Sequence, residues 1–203
     1  SSAPPSPETA KMAATLQKYK VLGQADPVEG ALSVRINNDR AAQLTLPRGW
    51  AARVKVMKPK QTWLIEGASF DGLSRVKIQL MAVPEGQKKM TSEQMGHLVK
   101  EPMARYVPRS VEGQVELKQK SIGAGLAVYA TVTDKTLDPK GPMPERTWLR
   151  YSFGNSAHPG FMALVKVSSK ADAAPGLALW HTLRSIPWSP MRKLRLGALQ
   201  LEA

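Results

Sequence analysis

ERTWLRYSFGNSAHPGFMALVKVSSKADAAPGLALWHTLRSIP, residues 145–187, is the stretch whose reading decides the fold. Residues 146–153 (RTWLRYSF) are rich in aromatic side chains, which suit a pleated, half-buried surface. Residues 154–160 (GNSAHPG) gather Gly, Asn, Ser and Pro, the residue types that build turns. Residues 161–167 (FMALVKV) form a second apolar run. Pro175 and Gly176 then open a short helix over residues 177–186 (LALWHTLRSI), and Pro187 stops it. The unit predicts strand, turn, strand, loop and helix. Nothing in it specifies a reaction.

Upstream, the same two periods organise the chain. Residues 7–22 read as a helix: Ser6 caps, Pro7 suits the first helical position, Met12, Leu16 and Tyr19 follow at helical spacing, and Gly23 ends it. From Ala31 the period changes to two. Leu32, Val34 and Ile36 alternate with polar residues, Asn37-Asn38-Asp39 turns, and Leu44 and Leu46 resume the pattern, as in a hairpin. Val54 and Val56, then Trp63 and Ile65, then Val76, Ile78 and Leu80 mark three more strands. Thr91 and Gln94 have the spacing of a capping box, and Met95, Leu98 and Val99 form a helical stripe that Pro102 is expected to kink. Residues 115–122 alternate again, Gly123-Ala124-Gly125 turns, and residues 126–132 give another strand. Connections this short do not hold helical crossovers. The expected fold is therefore α+β, a mainly antiparallel sheet flanked by helices.

The chain has 203 residues, enough for one domain that buries about 70% of its unfolded surface. Its 42% hydrophobic and 22% charged content are ordinary for a globular protein. No apolar run reaches the roughly 18 residues that a membrane-spanning helix needs. The absence of cysteine excludes disulfides and thiolate metal sites. The expected organisation is a tether over residues 1–6, a single domain over 7–188, and a basic tail over 189–203. The tether, SSAPPS, resembles the segment that follows a signal peptide or a lipid-modified cysteine. A bacterial periplasmic protein, or a membrane-anchored lipoprotein, is the expected location.

The formal net charge of +13 favours an acidic partner. Arg53 and Lys55, Arg75 and Lys77, and Lys118 and Lys120 each stand out of phase with neighbouring apolar positions. Strand alternation places each pair opposite its own apolar residues, so adjacent strands would assemble a positive sheet face that binds anions. The plainer alternative is a solvated face whose lysines discourage aggregation. No aromatic residues interleave with these charges, which disfavours a stacking platform for nucleic acid.

Catalytic signatures are missing. There is no G-x-S-x-G, and Gly123-Ala124-Gly125 lacks the rest of a phosphate-binding loop. His97, His158 and His181 show no ligand spacing, and Asp71, Asp134 and Asp138 sit in turn contexts. No catalytic residue, metal or cofactor is expected. Two residues stand out as possible partner contacts: His158, in the polar turn of residues 154–160, and Trp188, just past Pro187.

Two segments carry a resemblance. Leu44-Thr45-Leu46-Pro47-Arg48-Gly49-Trp50 is similar to the strand and Leu-Pro-x-Gly-Trp opening of the PsbP-like superfamily, which includes an extrinsic photosystem protein and the DcrB-like bacterial envelope proteins. Residues 179–186 (LWHTLRSI) resemble the closing helix of that family. The resemblance covers roughly residues 31–188 and implies a sheet sandwiched by helices in an accessory or binding module with no shared catalytic site. The N-terminal helix and the basic tail depart from the pattern. The expected function is thus a non-enzymatic, exported envelope protein acting through a surface contact, its partner another envelope protein or an anionic surface. The alternatives are a polyanion- or nucleic-acid-binding module that uses the basic face, and an enzyme with an unrecognised site.

Overall fold

The computed structural model of the chain describes residues 30–57, 62–135, 148–170, 172–188 and 199–201. The expected helix over 7–22, Asp138 and all but three residues of the tail lie outside these. Five strands come first: β1 (Ala31–Arg35), β2 (Arg40–Thr45), β3 (Trp50–Met57), β4 (Thr62–Ser69) and β5 (Ser74–Ala82). Helix α1 (Ser92–Met103) and a single 3-10 turn (Val107–Arg109) follow. Then come β6 (Lys118–Ile122), β7 (Gly125–Asp134), β8 (Leu149–His158) and β9 (Phe161–Ser169), helix α2 (Ala174–His181), and β10 (Arg184–Pro187) and β11 (Leu199–Leu201).

The strands form two sheets. A seven-stranded antiparallel sheet has the order β3-β4-β5-β9-β8-β7-β6. A four-stranded sheet, β10-β2-β1-β11, is antiparallel except where β11 runs parallel to β1. The protein is therefore α+β with mostly antiparallel sheets. The β1–β2 hairpin does not join the large sheet, as an unbroken run of strands suggests it should. It packs against one face of that sheet instead.

The large sheet is apolar on both faces, over different strands. Its inner face carries the main core. Val54, Ile65, Ile78 and Val165 lie in one cross-strand row, facing Leu32, Val34 and Leu44 of the small sheet and Leu179 and Trp180 of α2. Its outer face has a second core under α1, where Val99, Met103 and Tyr106 meet Ala130 and Val132, with Val115, Leu117, Tyr151 and Phe153 packed around them. The capping box forms as expected: Thr91 Oγ1 accepts from the Gln94 backbone N–H at 3.2 Å, and Gln94 Oε1 accepts from the Thr91 N–H at 2.9 Å. Pro102 stands in the last turn, and α1 closes one residue beyond it.

The region 145–187 differs from its local reading in two places. The cluster GNSAHPG is not a turn throughout. β8 continues to His158, and only Pro159 and Gly160 turn. Residues 154–157 pair with β7 on one side and β9 on the other, so two ladders and core burial override the local preference of Gly, Asn and Ser. The closing helix is also shorter, ending at His181. Thr182 Oγ1 donates to the Leu179 carbonyl at 2.7 Å, Leu183 is buried, and residues 184–187 become the edge strand that pairs with β2.

Candidate functional site: the open face beside helix α1

Cross-strand partners in a sheet point to the same side, so the register shows what each face displays. Along the outer face one row reads Arg53, Glu66, Lys77, Lys166, Phe153, Ala130. The row on one side of it reads Lys55, Leu64, Gln79, Leu164, Asn155. The row on the other side holds Ala68, Arg75, Ser168 and Tyr151. Helix α1 packs over β7 and β8. The part of the face made by β3, β4, β5 and β9 lies beside the helix and carries the cations.

Four of the six expected basic residues thus share a face: Arg53, Lys55, Arg75 and Lys77. The other two do not. Lys118 pairs with Tyr129 and Lys120 with Ala127. Tyr129 meets Trp180 edge-on at 5.9 Å, on the inner side of the sheet. Lys118 and Lys120 are accordingly exposed on the opposite side, at the edge strand β6. The alternation in residues 115–122 is real, but Val115 and Leu117 serve the outer core under α1, whereas the apolar residues of β3 and β5 serve the inner core.

Sequence reasoning missed Lys166, which sits between Lys77 and Phe153 in the central row. It was hidden in the apolar run FMALVKV. The signal was there, since Met162, Leu164 and Lys166 fall on one side of that strand and Phe161, Ala163 and Val165 on the other. The Lys166 ammonium lies 5.6 Å from the centre of the Phe153 ring and 5.7 Å from that of Tyr151, within reach of cation–π attraction. Both rings also contact Tyr106, with centroids 4.5 Å apart for Tyr151 and 5.8 Å for Phe153. They are used for packing, not displayed as a stacking platform.

Glu66 stands among these cations, 9% exposed. Its two oxygens are taken by Arg53 at 2.9 Å and Lys55 at 3.2 Å. Burial alone would raise its pKa, but the hydrogen bonds and charges of Arg53 and Lys55 outweigh burial and hold the carboxyl below its ordinary value. Glu66 is therefore shared between Arg53 and Lys55 and offsets one of their two charges. Among the described residues Arg75, Lys77 and Lys166 form no ion pair.

A groove of about 290 Å³ opens along this face between α1 and the sheet. Leu64, Leu164 and Phe153 line its floor, Leu98 and Pro102 its helical wall, and Lys77, Lys166 and Gln79 its rim. Leu98 is 37% exposed, one of few large apolar residues left open to solvent. An apolar trough with convergent cations has the composition of a ligand site.

The other candidates fall elsewhere. His158 lies inside β8, buried, with Nε2 2.9 Å from Ser156 Oγ and its ring stacked on Phe161 at 4.7 Å. Trp180 Nε1 donates to the same Ser156 Oγ at 3.2 Å. A hydroxyl beside an imidazole resembles a nucleophile and its base, but Ser156 is 0% exposed, so no substrate reaches it. Burial pushes the His158 pKa down to about 4. Burial, and then the nearby Lys120 charge, take His181 to about 4 as well. His97 is exposed on α1. Trp188 is half-buried on the β1–β2 turn, its N–H donating to the Asp39 carbonyl at 2.8 Å and its ring 5.6 Å from the Arg35 guanidinium. Asp71 Oδ1 accepts from the Leu73 N–H at 2.9 Å as a turn former, and Asp134 is ion-paired to Arg109 at 3.0 Å. Among the described residues no three His, Asp or Glu side chains gather as a metal site. No described helix is long and apolar enough to cross a membrane.

No protein-family model matches this chain, and no curated protein matches it.

Proposed function

We propose that the protein is a non-enzymatic binding protein of the bacterial envelope that holds an anionic partner on the open outer face of its large sheet. One observation carries the binding half. Arg75, Lys77 and Lys166 stand on adjacent strands, without ion pairs among the described residues, next to an apolar groove, while Glu66 is occupied by Arg53 and Lys55. Three neighbouring cations that form no ion pair among the described residues repel one another, and an anion relieves that repulsion. The buried setting of Ser156 and His158 supports binding over catalysis. The envelope location rests on the cysteine-free composition and on the resemblance to PsbP-like domains.

Retention on a heparin column tests the face. Neutralising Arg75, Lys77 and Lys166 together to Gln should move elution to clearly lower salt. Neutralising Lys118 and Lys120, on the opposite side, should move it far less. Equal shifts per charge removed would mean that net charge alone retains the protein, and the proposed face would be wrong. Fractionation of cells expressing the full gene tests the location, and recovery from the cytosol would refute it.

A further inference from the structure

We infer that the groove beside α1 takes the hydrocarbon chain of a single-chain anionic amphiphile, with the carboxylate or phosphate head held between Lys77 and Lys166. This step rests on the anion-binding reading of the same face. It adds what the charges alone do not require: an apolar part of the ligand.

The geometry separates head from tail. Lys77 and Lys166 are direct cross-strand partners on β5 and β9, so their side chains start from neighbouring positions on the outer face, and both line the groove. Lys166 is further restrained over the Phe153 and Tyr151 rings. Glu66, next in the row, forms its ion pairs with Arg53 and Lys55 and none with Lys77. At the next pair on this face, two residues along the same two strands, the chemistry changes. Gln79 pairs with Leu164, and Leu64 pairs with Gln79 from β4. Leu98 and Pro102 of α1 complete an apolar wall. A compact polyanion would satisfy the lysines but leave this wall wet. A neutral lipid would fill the trough but leave the lysines without a counter-charge. An amphiphile with one negative head satisfies both. The volume, at the small end of ligand pockets (about 300 Å³), suits one short chain better than a two-chain lipid.

Titration calorimetry with decanoate, decyl phosphate, octanoate, acetate and decyl maltoside, all below micelle formation, tests the inference on the intact chain. Decanoate and decyl phosphate should bind, and the tighter of the two identifies the preferred head. Octanoate should bind more weakly by about fourfold per methylene removed. Acetate and decyl maltoside should bind at least about tenfold more weakly than decanoate. Lys77→Gln with Lys166→Gln should bring decanoate down to the level of the maltoside. Leu98→Gln, at an exposed position of α1, should reduce the chain-length dependence. In NMR spectra the methyl groups of Leu64, Leu98 and Leu164 should shift on adding decanoate. Acetate and decanoate binding alike, or methyl shifts confined to the inner core, would overturn the amphiphile. If heparin retention still depended on Arg75, Lys77 and Lys166 in that case, the anion-binding face would stand without it. Loss of both would refute both.

Discussion

The Trp180 indole lies against the backbone of Gly154, in the middle of β8, so closely that a Cβ at 154 would stand 2.6 Å from the ring's Cζ3. Trp180 is fully buried, and the strand is laddered on both sides, so neither partner can move aside cheaply. Gly154→Ala should destabilise the protein by about 1–3 kcal/mol, as overpacking does. In a Trp180→Phe background the same alanine should cost less, because the ring edge that it meets is gone. Urea unfolding of the four proteins checks this. Additive effects would mean that the contact is not where the strain lies.

Helix α1 covers the outer core and forms the groove wall, and its start depends on Thr91. Thr91→Ala removes the acceptor for the Gln94 N–H and should cost about 1 kcal/mol. Thr91→Ser keeps the oxygen and should cost much less. A urea midpoint that does not move in the alanine variant would mean that the helix start is held by packing alone.

Acid should weaken the fold before the carboxylates titrate. His158 and His181 accept a proton near pH 6.5 when unfolded, but only near 4 when folded. Between those values the unfolded chain binds more protons. Stability is therefore full above about pH 6.5 and falls as pH drops towards about 4. For the buried His158 the effect is of order 3 kcal/mol. Thermal melts across that window should show the decline, and His158→Gln should flatten part of it, leaving the share of His181. A decline confined to lower pH would assign acid sensitivity to carboxylates such as Glu66, whose depressed pKa places its loss below the ordinary carboxyl range.

Glu66 tunes the basic face. Glu66→Gln removes the negative charge that Arg53 and Lys55 share beside Lys77. Anion binding should become tighter, with heparin elution moving to higher salt, while stability falls by about 1 kcal/mol. The two readouts move in opposite directions, so a variant that is merely misfolded is easily told apart. Elution unchanged at full folding would place the bound anion away from this row.

Much of the fold was legible because strand alternation and turn chemistry are local. The β1–β2 turn at Asn37–Asp39, the capping box at Thr91 and Gln94, and the α+β order need only neighbouring residues to specify them. Two local signals misled. Gly154, Asn155 and Ser156 have the composition of a turn, yet they occupy a central strand, where Gly154 makes room for Trp180. Residues 184–186 read as the end of a helix, yet they pair with β2, a strand more than a hundred residues away in sequence.

The candidate site was only half legible. Sequence alone determined that basic residues alternate with apolar ones on several strands, since that follows from the two-residue repeat of an extended chain. Only the tertiary structure decided which charges meet. The sheet has an apolar core on each face, so the same alternation puts Arg75 and Lys77 on the outer face and Lys118 and Lys120, exposed at the edge, on the opposite one. Lys166 joined the first group through its pairing with Lys77 across β5 and β9. Which side of a strand is buried depends on what packs against it, and that partner comes from elsewhere in the chain.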